Sequence, residues 1–221
     1  MVTFLVTPVA PQPATRNDIT LAIFMKLLLA TSNKGKAHEM REALDGLDLE
    51  LLDLSDIKVL GQPEETGKTY SENAAIKAHH YFNETGHPTV ADDSGIHVEA
   101  LESELGIHTR RWGAGPRASD AEWIDYFLKR MREEKNKRAR FVCTIAHIDT
   151  ERRLHIFEGT CEGVITNTLE ADYLPGLPIS ACFRPDGEKY VFSALSLEQK
   201  NRTSHRGRAL QQFRDFLEKQ K

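Results

Sequence analysis

Lys26-Leu27-Leu28-Leu29-Ala30-Thr31, running directly into Ser32-Asn33-Lys34-Gly35-Lys36, is the stretch that decides the fold. The short apolar run reads as a strand buried on both faces, the habit of a strand inside a helix-covered sheet. The polar segment after it is a glycine-containing turn, and Ala37 to Leu44 reads as a helix with Met40 and Leu44 on one face. Strand, turn, helix is the arrangement that offers backbone N–H groups and a helix N-terminus to an anion. The turn is not a Walker A loop, because the G-x-x-x-x-G-K-[ST] spacing is absent.

Outward from this unit the same alternation continues. Thr69 and Glu72 form a capping box, Ala74, Ala78, Tyr81 and Phe82 share a helix face, and Gly86 supplies the stop. Ser119 and Glu122 make a second box ahead of Trp123, Tyr126, Phe127 and Met131. The basic run Lys135 to Arg140 reads as a solvated linker. Arg140 to Asp149, rich in Phe, Val, Ile and Thr, is a strand. It turns through Asp149-Thr150-Glu151-Arg152 into a second strand from Leu154 toward Ile165, an antiparallel hairpin. Ser196 and Gln199 cap a third helix, and Leu210, Phe213 and Leu217 mark a terminal one. Parallel and antiparallel connections together give an α/β or α+β class around a mixed sheet, of which α/β is the one expected here.

Two acidic pairs carry the chemistry. Pro88-Thr89-Val90-Ala91 reads as a strand ending in the turn Ser94-Gly95, with Asp92-Asp93 at its end; Glu64-Glu65 lies upstream. Adjacent carboxylates cost energy unless a cation or a proton-transfer role holds them. Their hard oxygens suit Mg²⁺, above all when a polyphosphate completes the shell. Lys34 and Lys36 sit in the first turn, and Lys200, His205 and Arg206 near the far end. Fixed cations and a metal are what phosphoryl chemistry requires.

Composition narrows the class. At 221 residues the chain can bury a full core. A net charge of −4 argues against a dedicated nucleic-acid binder. No apolar run approaches the roughly 20 residues that cross a bilayer. Cys143, Cys161 and Cys182 are widely spaced, without a C-x-x-C pair, so they read as small core hydrophobes in a reducing cytoplasm. Residues 1–24, with Pro8, Pro11 and Pro13, read as a weakly ordered extension ahead of a single domain, 25–221, with Met25 as its functional beginning.

The chain resembles the inosine triphosphate pyrophosphatase family from about Met25 to near its C-terminus. The motifs occur in the family's order. They are Ala30-Thr31-Ser32-Asn33-Lys34-Gly35-Lys36, then Glu65-Thr66-Gly67 through Glu72-Asn73-Ala74 and Lys77-Ala78. Ala91-Asp92-Asp93-Ser94-Gly95, Ala139-Arg140-Phe141-Val142-Cys143, Glu198-Gln199-Lys200 and Ser204-His205-Arg206-Gly207 follow. The resemblance implies an elongated mixed sheet flanked by helices, two lobes around a central cleft, and a homodimer. It also implies Mg²⁺-dependent cleavage of non-standard purine nucleoside triphosphates to the monophosphate and pyrophosphate. By the same resemblance Asp93 is the general base, Glu65 and Asp93 are metal ligands, and Asp92 assists through metal-bound water. Thr31, Ser32, Asn33, Lys34, Gly35, Lys36, Lys77 and Ser94 line the triphosphate. Lys200, His205 and Arg206 close over the nucleotide.

One segment departs from the pattern. Where the family carries a Gly-Phe-Gly-Tyr-Asp-Pro-like loop, this chain reads Leu174-Pro175-Gly176-Leu177-Pro178-Ile179, keeping Gly176 and losing the aromatic and acidic groups. Stacking surface and a hydrogen-bond acceptor go with them, so weaker base selectivity is expected. A pyrophosphatase of broader base range and a nucleotide-binding sensor without turnover are the competing readings. The Glu65, Asp93 and Lys36 set argues against the sensor.

Overall fold

The computed structural model describes residues 25–57, 61–102, 104–115 and 117–220. The expected extension, 1–24, lies outside the described residues. Among those described, six strands form one mixed sheet: β1 (Met25–Leu29), β2 (Leu49–Asp53), β3 (Thr89–Val98), β4 (Arg138–Ile148), β5 (Leu154–Ile165) and β6 (Phe183–Pro185). Their order is β2-β1-β3-β4-β5-β6, with β1 parallel to both neighbours and the later pairs antiparallel. Helices α1 (Lys34–Leu44), α2 (Tyr70–Thr85), α3 (Asp120–Arg132), α4 (Leu197–Thr203) and α5 (His205–Lys219) accompany the sheet.

The apolar run of β1 is buried on both faces, as its sequence requires. Period-two alternation sends Leu27 and Leu29 toward Met40 and Leu44 of α1 and Leu210 and Phe213 of α5. Leu28 and Ala30 pack the other way, with Ala74, Ala78, Tyr81 and Phe82 of α2. The capping boxes of Thr69–Glu72, Ser119–Glu122 and Ser196–Gln199 all form. Gly86 ends α2 in the left-handed region at φ 69°, its N–H donating to Phe82 O. The hairpin of β4 and β5 and the terminal helix are also as expected, and the three cysteines are buried and free.

Several boundaries fall elsewhere. Ser94-Gly95 does not end a strand; β3 runs on to Val98, because β4 supplies partners for both residues, Ser94 opposite Cys143 and Gly95 opposite Val142. Gly95 serves close approach rather than turning: a Cβ there would lie 2.3 Å from Gly106 O. The basic run is linker only in part, since β4 begins at Arg138, whose guanidinium makes a two-pronged pair with Asp186 at 2.7 and 2.8 Å. Helix α1 begins three residues before Ala37 because Asn33 caps it, its Oδ1 accepting from Lys36 N at 3.1 Å. Tyr126 sits at the edge of the buried face of α3, exposed, its ring against Trp112. No strand was expected at β2 or β6, although Leu47, Leu49 and Leu51 alternate with polar residues and pack on one side of the sheet.

Candidate active site beyond the first strand

Strands β1 and β3 pair only at Leu28–Thr89 and Leu29–Val90. Beyond that point β1 gives way to the 30–33 turn and α1, while β3 continues, so a crevice opens at the carboxyl end of a parallel strand. Open α/β sheets bind ligands at such places. A cleft of about 640 Å³ occupies it. Thr31, Ser32, Asn33, Lys34 and Lys36 form one wall, and Glu65 and Lys77 another. Asp93 and Ser94 lie on the floor, with Gly176, Lys200, His205 and Arg206 reached from distant segments. Of the residues expected at the site, Gly35 and Asp92 do not line the cleft.

The N-terminus of α1 does less for an anion than its sequence suggests. Gly35 N–H donates to Pro175 O at 3.2 Å and Lys36 N–H to Asn33 Oδ1, so both amides are engaged within the protein. Gly35 is needed for packing: a Cβ would stand 2.8 Å from Leu177 Cγ and from Pro175 O. Those two amides are therefore not offered to a phosphate, and the side chains of Lys34 and Lys36 supply the positive charge of this wall.

Strand alternation separates the two aspartates onto opposite faces. Asp92 is buried, with Oδ2 3.0 Å from Lys36 Nζ and 3.2 Å from Arg206 Nη2. Arg206 also pairs with Glu39, donates to Ser94 Oγ at 2.9 Å, and shares Glu39 with Lys200. Burial by itself would raise the carboxyl pKa of Asp92, yet Lys36, Arg206 and Lys77 hold it well below the usual range. Glu39 is held down by Arg206 and Lys200, again against burial. Two carboxylates thus face three cations, and the excess positive charge adjoins the cleft. Sequence reasoning missed Glu39, because a glutamate inside a helix reads as solvent-facing.

Asp93 has a different setting. Its Oδ1 accepts from Ser94 N at 3.0 Å and lies 3.6 Å from Lys77 Nζ, while its buried Oδ2 has no hydrogen-bond partner. Lys77 bridges onward to Glu65 Oε1 at 2.8 Å. Burial raises the Asp93 pKa above its ordinary value, outweighing Lys77 and Lys36 and reinforced by repulsion from Glu65 and Asp92. Such a carboxylate is a stronger base than a solvated one. Glu65 and the unpartnered oxygen of Asp93 are hard oxygen donors of the kind that could hold a divalent cation with phosphate oxygens completing its shell. Among the described residues no group of three or more His, Cys, Asp or Glu side chains could hold a metal ion.

The far end of the cleft is aromatic. His205 stacks on Phe141 at 4.5 Å between ring centroids and 13° between planes, with Phe192 behind it. Burial, helped by Arg206 and Lys36, holds the imidazole pKa far below its ordinary value, so the ring is neutral. Trp123 and Asp120 of α3 also line the cleft; the sequence had placed Trp123 in a core face and gave no sign of Asp120. The loop 174–179 closes this end through main-chain contacts: Gly176, at φ 84°, accepts from Asn33 Nδ2 at 3.0 Å.

The Ham1 family profile matches residues 27–216. A dITP/XTP pyrophosphatase of Leptospira interrogans is 38% identical over 192 residues, 87% of this chain and 96% of that protein. One from Thermus thermophilus is 39% identical over 188 residues, 84% and 88% of the two chains. A HAM1 protein from Coxiella burnetii superimposes with a TM-score of 0.75 at 33% identity, covering 88% of this chain and 99% of that one. The Staphylococcus aureus Ham1 protein does so with a TM-score of 0.75 at 30% identity, covering 89% and 100%. The chain belongs to the Ham1 family, and the resemblance read from its motifs is borne out.

Proposed function

We propose that this protein hydrolyses non-standard purine nucleoside triphosphates, of the ITP, dITP and XTP kind, to the monophosphate and pyrophosphate, and so cleanses the nucleotide pool. The relatives that carry the dITP/XTP pyrophosphatase name span nearly the whole chain, which supports the reading. The single observation that carries it is Asp93: a buried carboxylate of raised pKa, one oxygen unpartnered, on the floor of a cleft walled by Lys36, Lys77, Lys200 and Arg206.

In this reading the triphosphate lies along the lysine wall and the base enters the aromatic end beside Phe141 and His205. Asp93 accepts a proton from water as the water oxygen bonds to the α-phosphorus. The bridging P–O bond breaks and pyrophosphate leaves, its charge met by Lys36 and Lys77. Glu65 and Asp93 would hold Mg²⁺, which supplies further neutralisation of the phosphate oxygens. Asp92 contributes through Lys36 and Arg206, which it fixes. Neutral His205 can donate one hydrogen bond to a six-position oxygen.

A homodimer in the cytoplasm completes the reading; the buried, free thiols suit a reducing compartment. Among the described residues no helix is long and apolar enough to cross a membrane. The test is release of pyrophosphate from inosine, xanthosine, guanosine, adenosine and pyrimidine triphosphates, with and without Mg²⁺. Release from the first two is expected. Tight binding without release would instead support a sensor.

A further inference from the structure

We propose that Asp120 is a positioning residue that fixes the loop 174–179 over the base end of the cleft; the inference rests on the function proposed above. Asp120 is the first residue of α3, and its carboxylate lines the cleft. Oδ2 accepts from Gly176 N–H at 2.5 Å, across 56 residues of sequence. Oδ1 lies 3.7 Å from Arg110 Nη2, and that same nitrogen donates to Ala118 O at 2.8 Å, which steadies the carboxylate from behind.

The loop depends on such a grip. Leu174, Pro175, Leu177, Pro178 and Ile179 have no polar side-chain group, and the two prolines have no N–H. Leu177 N–H is used inside the loop, donating to Leu174 O at 2.9 Å. Gly176 is therefore gripped from both sides: its carbonyl by Asn33 from the triphosphate wall, its amide by Asp120 from α3. A charged acceptor makes the stronger kind of hydrogen bond, and the N-terminus of α3 favours its negative charge. Cleft shape at the base end, where the loop itself offers no polar side chain, is thus set by a residue outside the loop.

The experiment pairs hydrogen exchange of the substrate-free protein with kinetics of D120A, D120N and D120S. Alanine and serine cannot reach Gly176, whereas asparagine keeps an acceptor oxygen. For D120A and D120S, amide exchange in 174–179 should quicken about tenfold or more, with the rest of the sheet unchanged. KM for ITP should rise roughly fivefold while kcat stays within about twofold, and inhibition by inorganic tripolyphosphate, which has no base, should hardly move. D120N should restore both exchange and KM to near the parent values. Unchanged exchange and KM in D120A and D120S would overturn the proposal. So would a D120N that protects the loop yet shows the full KM defect, since the charge would then be acting on the substrate itself. Exchange needs no turnover, so it decides Asp120 even if the parent protein fails to hydrolyse ITP.

Discussion

Arg206, the second residue of α5, and Asp92 of β3 form a buried ion pair 114 residues apart in sequence, with Nη2 3.2 Å and Nε 3.3 Å from Oδ2. Their side chains are only 3% and 1% exposed. Removing one partner of such a pair leaves the other charge uncompensated in the interior. Asp92→Ala should therefore destabilise the protein by roughly 3–5 kcal/mol, far more than an exposed pair would. Urea unfolding at pH 7 measures this; a loss within that of a surface substitution would refute the buried pairing. Because the folded pKa is depressed, the pair's stabilisation is present above the ordinary carboxylate pKa. It is lost only as pH falls through the lowered folded value.

Asp93→Asn should lower turnover by roughly 10²-fold or more, as expected for loss of a positioned base. Its stability should be equal to or above that of the parent, because the raised pKa means that the ionised carboxylate is disfavoured where it sits. Loss of activity together with a large fall in melting temperature would point to a structural role instead.

Base selection should be present but modest. Leu177 packs over Gly35 and offers no side-chain hydrogen bond, and Pro178 offers none either. Strong discrimination needs buried polar groups that the wrong base leaves unpaired. The ratio of kcat/KM for inosine over adenosine triphosphate should fall below roughly 10³, about 4 kcal/mol. A larger ratio would show that other groups at this end rebuild the selectivity.

His147 predicts an acid-side loss of stability. It is buried in β4, its Nδ1 3.1 Å from Thr89 O, and burial pushes its pKa down to about 4. Above pH ~6.5 neither state is protonated and nothing is lost. As pH falls toward 4, the unfolded chain takes up a proton that the native state refuses, at a cost of about 3 kcal/mol. His147→Gln should flatten that part of the curve of stability against pH. An unchanged slope would assign the loss to other groups.

Gly95→Ala tests the continuation of β3. The added methyl would meet Gly106 O at 2.3 Å, Tyr70 Oη at 2.7 Å and Thr109 Oγ1 at 2.8 Å. A destabilisation of about 1–3 kcal/mol is expected, with reduced activity because Asp93 lies two residues away. Parent-like stability of this variant in urea unfolding would mean that the 3₁₀ segment at Gly106–Arg111 shifts freely.

What could be read in advance depended on how local its cause was. A capping box needs four residues, a hairpin turn four, and an amphipathic face one helix, so Thr69–Glu72, Asp149 to Arg152 and the α5 stripe were all legible. The Lys36, Lys77, Asp93 and Arg206 assignments came from ordered motifs, and the fold brings these residues to one cleft. Glu39 and Asp120 were not legible. Each is an ordinary helical acid whose partners, Arg206 and Gly176, arrive from far along the chain.

The sequence by itself determined the buried first strand, the capped helices, the hairpin and the cation-and-carboxylate inventory, because hydrophobic period and capping chemistry act over a few residues. Only the tertiary structure decided that Ser94-Gly95 continues a strand, since its partner strand and the close backbone at Gly106 are distant in sequence. The division of labour between Asp92 and Asp93 was decided there too. Adjacent and chemically identical, they are turned by the pleat to opposite faces, one into a buried lattice of cations and the other into the cleft.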